Sequence, residues 1–274
     1  MTDSPSTTYL HGFTPDEQDR LRRQARFLEP HVFRDIDFGD AKRLIEVGSG
    51  VGAQTEVLLQ RFPDAHIACV DLNPSQLDAA RRNLGAQPAL DGRYTLQQAD
   101  ATAMPFADAS FDGAFLCWVL EHVPSPAGVL ADTRRVLAPG ARIHVTEVMN
   151  ASLFVAPDAP NVTAYWAALN DFQREQHGDP FVGAKLGHLL ADAGFRDIEI
   201  VPRTLHFDAR TPEARSAIFA YWEDLMTSAA DQLLAAQRVT PEIVAGVRRE
   251  LRAAAQRRDG VFFYTFVQAH ATTP

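Results

Sequence analysis

Residues 46–52, Glu-Val-Gly-Ser-Gly-Val-Gly, put a carboxylate, a hydroxyl and three alternating glycines within one turn of chain. Gly48, Gly50 and Gly52 permit backbone angles and close approach that a Cβ would forbid, so a ligand can touch main chain there. The helix expected from Ala53 aims its unpaired N–H groups and positive dipole end at the same place. Two more acids follow at strand ends, in Val70-Asp71-Leu72 and Gln97-Gln98-Ala99-Asp100-Ala101. A carboxylate at Asp71 can accept both hydroxyls of a ribose through charge-assisted bonds worth about 1.5–3 kcal/mol each. Asp100 can accept from the exocyclic amine of an adenine while an adjacent N–H reads a ring nitrogen. Asn73 is the better cap for a helix starting at Pro74, which leaves Asp71 for the ligand.

Glu46 separates the classes of nucleoside ligand. It lies inside the first apolar strand, where a lone carboxylate is costly to bury. A dinucleotide pyrophosphate would repel it; a ligand with a cationic end would not. Gly48-x-Gly50-x-x-Ala53 also satisfies the looser dinucleotide fingerprint, which keeps a nicotinamide- or flavin-dependent oxidoreductase as an alternative. A non-catalytic nucleoside-binding regulator is a second. For acid–base work His122, just after the fourth strand, is the leading base because histidine titrates near neutrality. Glu147, near the end of the fifth strand, is the other catalytic candidate; His144 and His177 are weaker ones.

The elements that carry these residues follow from periodicity. Thr14-Pro15-Asp16-Glu17 fits a capped helix start, so a helix is expected over about 15–29, with Leu21, Ala25 and Leu28 inward and Arg20, Arg22, Arg23 and Arg26 outward. Strands are expected near 43–47, 66–71, 93–98, 111–117 and 142–148, with helices near 53–61, 75–84 and 126–137. This alternation implies a parallel sheet with right-handed crossovers. Beyond Asn150 come an aromatic helix over 157–176, a helix and strand over 183–201, an Ala- and Arg-rich excursion over 211–257 read as two helices, and a last strand over 261–269.

The whole chain has 274 residues, 46% hydrophobic and 22% charged, ordinary for one large α/β domain. A net charge of −9 argues against nucleic acid as a partner, because phosphate contacts require clustered Lys and Arg. No run of about 18 apolar residues predicts a membrane span. The N-terminus has no secretory pattern, and the two cysteines, Cys69 and Cys117, read as reduced, so a cytoplasmic protein is expected. No Cys/His spacing suggests a metal site.

Taken together, Glu46 to Gly52, Val70-Asp71, Ala99-Asp100-Ala101-Thr102-Ala103-Met104-Pro105-Phe106, Phe111-Asp112, Leu120-Glu121-His122-Val123-Pro124 and Leu137-Ala-Pro-Gly140 resemble the class I S-adenosylmethionine-dependent methyltransferases, in particular the small-molecule, ubiquinone/menaquinone-type group. The stretches cover residues 42–148 in the family's order. The resemblance implies a Rossmann-like, seven-stranded, mostly parallel sheet with the last strand antiparallel and helices on both faces. It places the methionine moiety of S-adenosylmethionine at Glu46, Gly48 and the glycine loop, the ribose at Asp71, and the adenine at Leu72, Asp100 and Ala101, with Cys117 near the methionine end. Residues 1–40 would form a lid, with Tyr9 and Gln24 as contacts. The domain proper would be 41–274, with cap insertions at about 155–177 and 211–257.

Methyl transfer is an in-line displacement, in which alignment of the reactants lowers the barrier by about 7–11 kcal/mol. A base adds about 10²–10⁴-fold for a hydroxyl acceptor. The aromatic residues Tyr165, Trp166, Phe172, Tyr221 and Trp222 are candidate walls for a small, partly hydrophobic acceptor. The expected activity is methylation of an O or N atom of a small natural-product or quinone-like metabolite. The helical insertion offers a surface for a homodimer.

Overall fold

The computed structural model describes residues 12–274. Helix α1 (Pro15–Val32) begins where Thr14 Oγ1 accepts from the Glu17 amide at 3.3 Å, with Pro15 pre-set in the first turn. The repeating unit follows: β1 (Arg43–Val47), α2 (Ala53–Arg61), β2 (His66–Asp71), α3 (Pro74–Gly85), β3 (Tyr94–Gln98), β4 (Phe111–Cys117), α4 (Pro126–Val136) and β5 (Leu137–Val148). After it come β6 (Phe154–Ala156), α5 (Pro160–Glu175), α6 (Leu186–Asp192), β7 (Arg196–Phe207), α7 (Pro212–Ser228), α8 (Ala230–Ala235), α9 (Pro241–Gln256) and β8 (Val261–Thr272).

The strands order as β3-β2-β1-β4-β5-β8, with β7 on the far edge of β8. β1 to β5 pair in parallel, and β8 inserts antiparallel between β5 and β7. The seven expected strands are present. An eighth, β6, continues the line of β5 along β8, where Phe154 faces Phe263. Three residues bounded by turns are too few to show an alternating pattern.

Alternation along β1 sorts the core. Ile45 and Val47 turn to one face with Ala68, Val70, Ala114 and Leu116, covered by α4 and α6. Leu44 turns to the other with Ile67, Cys69 and Phe115, covered by α1, α2 and the later helices. Glu46 points to this second face and is buried there. The 211–257 excursion holds three helices rather than two. Gln237, a non-glycine residue with φ +55°, ends α8, and Thr240 with Pro241 restarts the chain as α9. The orientation of Arg20 also departs from expectation. It is buried, because Glu17 meets its guanidinium with two bonds of 2.7 Å and makes its desolvation tolerable.

Away from the glycine loop, α1 is tied to the sheet through the segment after it. His144 on β5 shares a 2.5 Å Nδ1–Nδ1 contact with His270 on β8, and its Nε2 meets the Asp37 carbonyl at 2.8 Å. A carbonyl only accepts, so His144 carries its proton on Nε2, and the His270 Nδ1–H donates to the His144 Nδ1. Burial drives the His144 pKa down to about 4, and burial lowers that of His270. These groups line an open cleft of about 440 Å³ with Asp35, Glu199 and Arg203. That cleft lies at the opposite end of the strands from Gly48–Gly52.

The pH dependence follows from the sign of these shifts. Both histidines titrate near 6.5 when unfolded and lower when folded, so their contribution is complete above about pH 6.5 and is lost as pH falls toward 4. Thermal melts across pH 8 to 4 should show a plateau that drops below about pH 6.5, and His144→Phe should flatten that drop. A melt curve unchanged by the substitution contradicts this assignment.

Candidate active site

The carboxyl ends of β1, β2, β4 and β5 meet at one crevice. The chain leaving β1 bends sharply because the Gly48 and Ser49 amides both donate to the Val70 carbonyl, at 2.8 and 2.9 Å. Gly48, Gly50 and Gly52 have φ of +74°, +52° and +75°, where only glycine is unstrained. A Cβ on Gly48 would stand 2.5 Å from Val119, so this position also needs glycine for room. At Gly50 a Cβ would meet nothing within 4 Å, which marks open space beside the loop.

Asp71 joins the loop to the end of β2. Its Oδ2 accepts from the Gly50 amide at 2.7 Å and its Oδ1 from the Asn73 amide at 2.9 Å. Asn73 caps α3, accepting from Ser75 and Gln76, so Asp71 is spared that task. Burial raises the Asp71 carboxyl, partly offset by these amides. Beside it Leu72 is 53% exposed, unusual for a leucine at a strand end and apt for a flat ring. Asp100 is exposed and accepts from the Thr102 amide and hydroxyl; Ala101 is half-buried next to it.

Glu46 is almost wholly buried and accepts a short hydrogen bond from the Thr55 hydroxyl. The donor is a hydroxyl from the first turn of α2, not an amide of the glycine loop. Burial pushes its pKa up to about 8, the Thr55 bond opposes this, and Asp71 adds to it. Cys117, at the end of β4, is flanked electrostatically by Glu147, Glu46 and Glu121; burial first, and these acids after it, raise its thiol.

Glu147 sits beneath the loop after β4, fully buried, accepting from the amides of Val119 at 2.9 Å, Leu120 at 2.7 Å and Glu121 at 3.4 Å. Burial and the neighbouring Glu121 raise its carboxyl while the amides pull it down. With its oxygens so engaged, Glu147, a catalytic candidate from the sequence, sets the shape of the loop. His122 is half-buried on that loop, its Nε2 3.6 Å from Glu121 Oε1. Glu121 also accepts from Gln173 on α5 at 2.9 Å.

Trp118, Glu121 and Gln173 were not anticipated. Trp118 holds φ +56°, a rare conformation for a bulky residue, and contacts Phe266 edge-on at 6.3 Å. Such a backbone choice leaves no signature in sequence, whereas Leu120-Glu121-His122 did mark the loop.

Helix α1 joins α3 to α7. Gln18 reaches Ser75 and Gln76 of α3, and Phe27 stacks on Tyr221 of α7 at 5.1 Å. Gln24 accepts from Arg20 at 2.7 Å; Tyr9 lies outside the described residues. Of the aromatic candidates, Trp166, Tyr221 and Trp222 come together, with Trp222 also 4.7 Å from Tyr264. Trp166 Nε1 donates to the Asn150 carbonyl, while the buried Trp222 Nε1 has no partner among the described residues. Tyr165 is core, corrected from the acceptor wall: it is wholly buried and its hydroxyl donates to the Met226 carbonyl at 2.5 Å. Phe172 packs half-buried against the same core.

Residues 45–145 match the model of the methyltransferase domain family. An O-methyltransferase of Penicillium expansum is 33% identical over 197 residues, covering 70% of this chain and 67% of that protein. The chain belongs to the class I S-adenosylmethionine-dependent methyltransferases. The ubiquinone/menaquinone biosynthesis C-methyltransferase of Dinoroseobacter shibae is 39% identical over 107 residues, 39% of this chain and 42% of the relative. Geranyl diphosphate C-methyltransferase from Streptomyces coelicolor superposes with a TM-score of 0.55 at 16% identity, covering 92% of this chain and 79% of the other. The chain thus spans about two thirds of the length of the Penicillium relative and less of the Dinoroseobacter one. The cofactor is S-adenosylmethionine, which sets the oxidoreductase alternative aside, and the chain is an enzyme rather than a regulator. No helix among the described residues is long and apolar enough to cross a membrane.

The residues suit that cofactor. Ser49 Oγ and Gln54 Oε1 are buried at the glycine loop without partners among the described residues, next to the open space at Gly50. Two orphaned polar atoms in one crevice require a polar occupant. Gly48→Ala should therefore fold less stably by about 1–2 kcal/mol from the left-handed backbone alone, and more from the Val119 clash. Its S-adenosylmethionine affinity, read by calorimetry, should fall at least tenfold. Wild-type affinity in that variant contradicts the loop assignment.

Proposed function

We propose that this enzyme methylates an oxygen or nitrogen of a small, partly aromatic metabolite of natural-product or quinone type. The supporting observation is the mouth above Cys117. There Tyr221 lies within electrostatic reach of Cys117 and Glu121 and packs with Trp222, which packs with Trp166, and the indole N–H of Trp222 has no acceptor among the described residues. A flat acceptor bearing a carbonyl or hydroxyl oxygen suits such a donor. The Penicillium relative is an O-methyltransferase, which accords with a hydroxyl as the methylated group.

In this reading the glycine loop and Glu46 hold the methionine end of the cofactor, and Asp71 takes the ribose. Leu72, Asp100 and Ala101 take the adenine. Gln24 on α1, together with Tyr9, closes over them as part of a lid formed by residues 1–40. Cys117 contributes backbone beside the methionine. The bound cofactor supplies an activated methyl group, so the protein's share is alignment and exclusion of water. His122 takes the proton from the acceptor hydroxyl. Glu147 keeps His122 in place through the three amides it gathers. Phe172 supports the roof formed by the cap segments at about 155–177 and 211–257. Two cysteines without a disulfide accord with a cytoplasmic location, and the cap offers a face for a homodimer.

A panel of phenols, hydroquinones and aromatic amines with ¹³C-methyl cofactor, read by NMR, identifies the acceptor atom. His122→Ala should cut turnover of the active acceptor about 10²-fold or more while changing cofactor affinity less than threefold. Asp71→Ala should do the reverse, weakening the cofactor tenfold or more. Methyl appearing only on carbon, or full turnover in His122→Ala, contradicts the proposal.

A further inference from the structure

Four carboxylates follow one another along the strand ends: Asp71 on β2, Glu46 on β1, Glu147 on β5 and Glu121 on the loop after β4. They feel one another. Asp71 raises Glu46, Glu121 raises Glu147, and three of the four raise Cys117 between them. Among the described residues no Lys or Arg makes an ion pair with any of them, and His122, 3.6 Å from Glu121, is the one side-chain base in ion-pair reach. On α1, Arg20 acts on Tyr221 and is itself held by Glu17 and Gln24. Among the described residues the crevice is therefore short of cationic side chains, while its orphaned Ser49 and Gln54 await a ligand.

We infer that cofactor exchange is coupled to proton exchange here: Glu46 gives up a proton when the sulfonium of the methyl donor binds beside it, and the product, whose thioether sulfur is neutral, is held less firmly. This rests on the sulfonium lying at Glu46, because the ammonium of the methionine end is kept by donor and product alike. The geometry carries the inference, since a carboxyl whose sole hydrogen-bonding partner among the described residues is Thr55 can ionise comfortably only beside a positive charge. Transfer of the methyl group leaves sulfur neutral and removes that charge. Product release and proton uptake then favour one another. At neutral pH burial keeps Glu46 largely protonated in the ligand-free protein, with a pKa of about 8. Donor affinity should accordingly rise with pH toward 8, by up to tenfold per unit. The product, lacking the sulfonium, should show a flatter profile.

The test is titration calorimetry at pH 7 in buffers of different ionisation enthalpy, using S-adenosylmethionine, S-adenosylhomocysteine and sinefungin, whose amine replaces the sulfonium. After subtracting the ligands' own amine titration, the two cationic ligands should release about half to one proton and the homocysteine product clearly less. The ratio of product Kd to sinefungin Kd should climb about tenfold from pH 6 to 8. Glu46→Gln should make the proton counts of all three equal, with a thermal melt confirming that it folds; the wild-type comparison stands without it. Equal proton release by all three ligands in the wild-type protein, or a flat Kd ratio, overturns the inference while leaving the cofactor placement intact. Failure of all three to bind overturns both.

Discussion

Burying Glu46 in the strand that leads into the glycine loop is the constraint around which the site is built. An isolated carboxylate in that layer is costly, and the protein supplies only a hydroxyl from Thr55 to relieve it. The acids around it add negative charge, Asp71 on one side and Glu147 and Glu121 about Cys117 on the other, and α1 joins α3 to α7. A site so arranged suits a ligand that brings a cation, and S-adenosylmethionine carries two.

The same residues show how precision is obtained from few parts. Asp71 is both a loop clamp, through Gly50, and an acceptor with lone pairs to spare for a diol. Glu147 gathers three successive amides and so fixes the turn that carries Glu121 and His122, including the left-handed Trp118. Gln173 fastens that turn to the cap from above. The turn after β4 is held from below by a strand-end carboxylate and from above by α5.

Much of this was legible in the sequence because it depends on local rules. Alternating apolar runs located β1 to β5 within a few residues, and Thr14 and Asn73 capped helices as their chemistry dictates. Glu46 and Asp71 stood out because acids at strand ends need a reason. The parts that escaped depend on distant chain. Arg20 turned inward because Glu17 pairs with it, and β6 formed because β8 offered an unpaired edge beyond the end of β5. Tyr165 went to the core because the Met226 carbonyl lay waiting for its hydroxyl. Spacing alone cannot distinguish an aromatic residue at such a position from one that lines a pocket.

The most direct test is a crystal structure of the complex with S-adenosylmethionine. The sulfonium of the cofactor is expected within about 6 Å of the Glu46 carboxylate, with the ribose diol on Asp71. A cofactor bound with its sulfonium remote from Glu46 would contradict this.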